Sequence, residues 1–326
     1  AMKTLLPLLM VLAVGVAHAQ ADFSPKPVRI ISPYPPGGAA DALARQIAAP
    51  LGKRLNQSVV VENRPGAGGT IGANACKSSP PDGFTYCMFL TDIVALNPYT
   101  FKRLAYDADR DFIPVAAVAS LELVIVGPAT GPGTLKEALA FAKANPGKVN
   151  WASFGIGTSA HLLLERIKKS AGVDIQHIPY QGGGPAVNAL LSNEVQLTML
   201  AAAQALPHIQ SGKMKALAAL GNKRLATFPE VATLSEQGID FTSTLWLGLF
   251  APVGSSPGHL ATVNRNVNEI LTDSAFVQQV LAPAGYLPIP GTPQSFAERC
   301  APGALLSAQR HSSRLPEIPH GLPDRT

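Results

Sequence analysis

The chain has 326 residues, of which 47% are hydrophobic and 14% charged. That balance supports a sizeable core in one large or two medium domains and excludes global disorder. The formal charge is +5, from 26 basic and 21 acidic residues. It is spread without a Lys/Arg cluster or aromatic-basic interleaving, which gives no support to nucleic-acid binding and suits a small anion.

Met2-Lys3-Thr4, the apolar run 5–16 and Ala17-His18-Ala19 form a positive start, an apolar middle and a small-x-small end. Residues 1–19 therefore read as a secretory signal peptide, since the apolar run is too short for a membrane anchor. The mature chain is expected outside the cytoplasm. Three cysteines remain, Cys76, Cys87 and Cys300. Export permits a disulfide, and Cys76 and Cys87 flank one turn, Pro80-Pro81-Asp82-Gly83. A bridge there is geometrically possible, and two buried free thiols fit as well. The spacing gives no metal motif, and no cofactor is expected.

From residue 28 onward, short β-rich runs alternate with helical ones, which predicts an α/β fold with mainly parallel strands. A strand at 28–32 leads through Pro33-Tyr34-Pro35-Pro36-Gly37-Gly38 into a helix with Asp41 in its first turn. A strand at 59–62, the loop 63–70 and a helix from Ile71 follow. The next strand is 86–90; 97–111 is polar and irregular; 113–119 and 123–127 are strands again. A second series begins at Thr134, whose helix stops at Pro146-Gly147. Strand 149–153, a glycine loop and a helix through Ile167 come next. Strand 175–178, the loop Pro179-Tyr180-Gln181-Gly182-Gly183-Gly184, a helix to Leu191, strand 195–200, helix 203–211 and strand 214–220 complete it. The run 244–251 is apolar on both faces and returns the chain to the first series, followed by helices 260–272 and 274–284 and a strand at 286–289.

Two such series joined by crossings near 120–124 and 243–247 make a clamshell. The expected division is 25–122 plus 248–299 for lobe 1 and 123–247 for lobe 2. The proline-bearing tail, 300–326, is expected to be poorly ordered or loosely packed.

The loop Ser153-Phe154-Gly155-Ile156-Gly157-Thr158-Ser159 carries the chemistry. Its glycines allow a sharp turn, and Thr158 and Ser159 suit a helix start. Such a start has unpaired N–H groups and a partial positive charge, so it attracts an anion. Ala160 breaks the dinucleotide-binding glycine pattern, and no Gly-Lys-Ser/Thr follows. Asp41 faces two readings: direct ligand contact, or bonding of loop N–H groups. His161 and Tyr34 are likewise divided between ligand contact and packing. No nucleophile–base pair is evident, so the site is expected to hold a ligand without acting as an enzyme. The alternative is an exported hydrolase acting on a carboxylate ester, because Gly254-Ser255-Ser256-Pro257-Gly258 matches the nucleophile-elbow pattern. Pro257 argues against it, since the residue after the serine must donate an N–H to the oxyanion.

Several blocks, in this order, carry a family resemblance: the 33–38 loop with Asp41; Val61-Glu62-Asn63-Arg64-Pro65-Gly66-Ala67-Gly68-Gly69; Pro80-Pro81-Asp82-Gly83-Phe84-Thr85; Ser153 with 155–162; His177-Ile178-Pro179-Tyr180-Gln181-Gly182; and Trp246-Leu247-Gly248-Leu249-Phe250-Ala251-Pro252. From about 26 to 296 the chain resembles the Bug family, periplasmic solute-binding receptors of tripartite tricarboxylate transporters. The resemblance implies a two-lobed, Venus-flytrap fold of the type II periplasmic-binding kind, a monomer in the periplasm, a small carboxylate ligand and membrane transporter subunits as partners. It nominates Tyr34, Gly37, Gly38 and Asp41 on one lobe, with Ser153, Gly157, Thr158, Ser159 and His161 on the other. Gln181 and Gly182 are further candidates. Many members carry an acid just after the strand that ends here at Leu200, where this chain has Ala201-Ala202-Ala203. A plain mono-, di- or tricarboxylate, aromatic acids included, is therefore expected over an amino acid. The chain after Arg299 does not match the family's usual ending.

Overall fold

A computed structural model describes residues 23, 26–241 and 245–301. The predicted signal peptide and the tail from 302 lie outside the described residues, as does part of the second predicted crossing.

The elements run β1 (Val28–Ser32), α1 (Ala39–Leu55), β2 (Val59–Asn63), α2 (Thr70–Lys77), β3 (Thr85–Leu90), a π-turn (Asp92–Leu96), α3 (Asn97–Thr100) and β4 (Phe112–Leu121). Next come β5 (Leu123–Pro128), α4 (Leu135–Ala144), β6 (Asn150–Ser153), α5 (Ser159–Ala171), β7 (Gln176–Pro179), α6 (Gly183–Leu191), β8 (Leu197–Ala201), α7 (Ala202–Gln210) and β9 (Met214–Ala219). β10 (Trp246–Pro252), α8 (Pro257–Thr272), α9 (Ser274–Phe276), β11 (Tyr286–Pro288) and α10 (Pro293–Cys300) complete the chain. The expected helix 274–284 is only α9 followed by a π-turn at Val277–Leu281.

The strands form two sheets, one ordered β11-β4-β10-β3-β1-β2 and one ordered β7-β6-β8-β5-β9. Both are mixed rather than mainly parallel. β1 runs parallel to β2 and β3, and β6 parallel to β7 and β8. β10 lies antiparallel between β3 and β4, and β5 antiparallel between β8 and β9. The periodicity of a strand reports its burial and not its direction, so an apolar run such as β10, buried at all seven residues, reads alike either way.

The chain crosses between sheets at Glu122, where β4 ends and β5 begins. The return strand lies beside it, with Leu121 N–H donating to Leu245 O at 2.9 Å. Glu122 O in turn accepts from Ala202 N at 2.8 Å, which ties the start of α7 to the crossing.

Each sheet carries helices because its strands are apolar on both faces. β3 is buried along its whole length, whereas β2, at the sheet edge, is half-exposed. The core is anchored by Tyr86, Phe89, Trp246, Phe250 and Phe296 in the first lobe and Trp151 in the second. Phe296 brings α10 onto β10: its ring packs edge-on against Trp246 at 5.2 Å. Gly248 admits that ring, since a Cβ there would lie 2.1 Å from Phe296 Cζ. Cys76 and Cys87 are joined in a disulfide with Cα atoms 6.2 Å apart, linking the end of α2 to β3.

Candidate functional site

One cavity of about 40 Å³ lies on the seam between the lobes, room for about three waters at roughly 10–15 Å³ each. Three helix starts open onto it. Gly38, Ala39 and Ala40 bring the start of α1, Gly183 that of α6, and Ala201 with Gln204 that of α7. The first amides of a helix have no partner within it and carry the positive end of its dipole. The rest of the wall is Leu90, Leu121, Leu123, Phe154, Leu245 and Tyr34. Among the described residues no charged side chain lines it.

The loops of the two lobes meet closely here. A Cβ on Gly38 would lie 4.0 Å from Gly183 N, and one on Gly182 only 2.9 Å from Pro35 Cδ. Gly182, at φ 152°, also holds a backbone shape that a side chain would resist. Gln204 Nε2 donates to Gly37 O at 3.3 Å across the seam.

Asp41 is 3% exposed and its oxygens are already engaged. It accepts from Gly37 N (3.1 Å), Asn63 Nδ2 (2.8 Å) and Arg45 Nε (3.1 Å), and Arg45 also pairs with it through its terminal nitrogen at 2.9 Å. Burial alone would raise this carboxyl, but the bonds from Arg45, Asn63 and Gly37 outweigh it and hold it below the usual range. Asn63 Nδ2 also donates to Tyr34 O at 2.9 Å. Together these bonds shape the 33–38 loop. Tyr34 is buried, and its hydroxyl has no hydrogen-bond partner among the described residues. Burial, then the nearby Asp92 and Tyr106, push it well above its ordinary value.

The 153–161 loop is knitted to itself. Ser153 Oγ accepts from Gly155 N at 3.2 Å and lies 2.6 Å from His177 Nε2. Thr158 Oγ1 donates to Gly155 O at 2.8 Å, and Gly157 N donates to His161 Nδ1 at 3.1 Å. The rings of His161 and His177 stack at 4.0 Å. Burial lowers both, His177 to about 4 with help from His161 and Lys168. Of the loop's residues, Phe154 lines the cavity.

Of the eleven sequence-nominated residues, Tyr34 and Gly38 line the cavity. Gly37 and Gly182 stand at the seam, Asp41 braces the first loop, and Ser153, Gly157, Thr158 and His161 brace the second. Gln181 is exposed. Ser159 is taken by a residue that the sequence reading did not single out. Asp92, fully buried in the π-turn after β3, accepts from Ser159 N at 3.0 Å and from Ser159 Oγ. Burial raises the Asp92 carboxyl against the lowering effect of those two bonds. An acid two residues after a fully buried strand leaves no local pattern by which to find it. Gln204 and Gly183 were also missed; each sits in the first turn of a helix that follows a strand. Ser256 does not line the cavity; it stands at the N-cap position of α8, ahead of Pro257 at the first helical position, without a side-chain capping bond.

Among the described residues there is no cluster of three metal-ligating side chains, and no helix is long and apolar enough to cross a membrane.

Residues 43–300 match the model of the tripartite tricarboxylate transporter family receptor. The chain is 37% identical over 281 residues to protein BugT of Bordetella pertussis, covering 85% of this chain and 86% of that one. Among solved structures it is similar to Rpa4515 of R. palustris with adipate, at a TM-score of 0.83 and 26% identity, covering 89% of this chain and 98% of that one. It is also similar to MatC from Rhodopseudomonas palustris with bound malate, at a TM-score of 0.77 and 29% identity, covering 89% and 97%.

Proposed function

This chain belongs to the tripartite tricarboxylate transporter receptor family, and from that premise we propose that it is a periplasmic receptor. It captures a small carboxylate between its lobes and passes it, unchanged, to the membrane subunits of such a transporter. The observation that carries the reading is the convergence of three helix starts on one cavity whose walls, among the described residues, bear no charged side chain. Helix-start amides are donors suited to a carboxylate, with Ala202 N at α7 the one already bonded, to Glu122 O, and leucine and phenylalanine walls suit a hydrocarbon body. The bound adipate and malate of the two structural relatives support the same ligand class.

In this reading the ligand touches Tyr34, Gly38, Gly183 and Gln204, while Asp41 and the 153–161 loop hold the surrounding backbone in place. Ala201 stands at the wall where an acid would be needed to pair an ammonium group. An amino acid therefore binds less well than the plain acid of the same length. Charge-assisted hydrogen bonds contribute about 1.5–3 kcal/mol each. Three of them, less the cost of ordering and closure, leave about −8 kcal/mol, or micromolar affinity.

Isothermal titration with hexanoate, adipate, malate, benzoate and aspartate tests this. Micromolar binding of at least one unsubstituted acid, and weaker binding of aspartate than of malate, is expected. Heat from none of them at millimolar concentration overturns it.

A further inference from the structure

A fourth helix start, that of α5, reaches the same seam, yet it is not open. It lies immediately after the loop whose Phe154 lines the cavity, and Leu90, on the opposite lobe, is two residues from Asp92. Tyr34 spans the two places: it lines the cavity, and after burial the nearby Asp92 is the next cause that raises its hydroxyl. We propose that Asp92 is a specificity-determining residue, a built-in carboxyl group that fills the anion position at the start of α5 and so restricts the receptor to ligands with one carboxylate and an apolar remainder.

Asp92 takes this part within the receptor reading above, through the geometry of its contact with Ser159. Asp92 belongs to the first lobe and Ser159 to the second, so their bonds form only when the lobes are together. One carboxyl oxygen takes the Ser159 amide and the other its hydroxyl. In this arrangement the Ser159 amide and hydroxyl, two donors that a second ligand carboxylate would seek, are both used. When ionised, Asp92 also repels an incoming anion, and fully buried surroundings screen that repulsion poorly. The walls near this end of the cavity, Leu90 and Phe154, offer an anion nothing in return. The starts of α1 and α6 remain to receive a single carboxylate, whereas the first amide of α7 is bonded to Glu122 O.

Hexanoate and adipate differ only in the second carboxylate, so their affinity ratio reads the proposal directly. By isothermal titration, the wild-type protein is expected to bind hexanoate at least tenfold more tightly than adipate. Asp92→Ser, which frees the Ser159 donors, is expected to move the ratio at least tenfold towards adipate. Asp92→Asn, which keeps the volume and removes the charge, is expected to move it by less. A wild-type protein that prefers adipate, or an Asp92→Ser ratio equal to wild type, overturns the proposal while leaving the receptor reading intact. Binding of neither acid, nor of any other carboxylate, overturns the receptor reading and this proposal with it. If Asp92→Ser does not fold, the wild-type and Asp92→Asn ratios decide.

Discussion

Gln204 Nε2 donates to Gly37 O at 3.3 Å, so a side chain from the start of α7 is tied to the loop at the start of α1. The bond joins the two lobes at the cavity wall and can exist only when they close. Gln204→Ala is expected to weaken carboxylate binding about tenfold, the equivalent of about 1.4 kcal/mol for one hydrogen bond. Because the bond is lost on opening anyway, the urea midpoint of the ligand-free protein is expected to stay within about 0.5 kcal/mol of wild type, as for other substitutions away from the core. Unchanged affinity would remove Gln204 from the binding wall.

Asp41 gathers four donors around one buried carboxylate, and its loss leaves Gly37 N–H without its side-chain acceptor and Asn63 Nδ2 with Tyr34 O alone. Asp41→Ala is expected to cost about 1–3 kcal/mol of stability, read by urea denaturation. The same group gives a pH signature. Its folded pKa is depressed, so its contribution is present at neutral pH and is lost as pH falls through the folded value. The variant is therefore expected to lose less stability than wild type on acidification below the ordinary carboxylate range. Parallel acid slopes for the two proteins would assign the loop's stability elsewhere.

The stacked His161–His177 pair is held neutral. Gly157 N donates to His161 Nδ1, a bond that a protonated ring cannot accept. With His177 lowered to about 4, the unfolded chain binds more protons than the folded one from about pH 6.5 down to that value. Stability is expected to fall with pH across this window. His177→Gln is expected to flatten the decline in melting temperature between pH 7 and pH 4.5. A decline as steep as wild type would show that the pair does not govern it.

The sequence conveyed the order of elements well because strands such as β3 and β10 are long, apolar and bounded by turns. Their directions were less legible, since a fully buried strand has no alternation to orient it. Tyr34 and Gly38 were nominated by the family resemblance, and the glycine loop announced itself by composition. Asp92 did not, because a single acid after a strand carries no local pattern, and only the closing of two distant segments places it on Ser159. The same holds for Gln204. A residue that acts by reaching a partner 167 positions away in the chain leaves no periodic trace.

The second sheet is built wholly from one uninterrupted stretch, 123–219, that leaves the first at Glu122 and rejoins it beside Leu121 through Leu245. Such a stretch is a cassette with adjoining ends. Exchanging it between relatives would transplant Phe154, Gly183, Ala201 and Gln204 together while leaving α1 and Asp92 of the recipient untouched. Recombination at two neighbouring points can therefore alter half of the cavity wall in one event, without disturbing the pairing of either sheet.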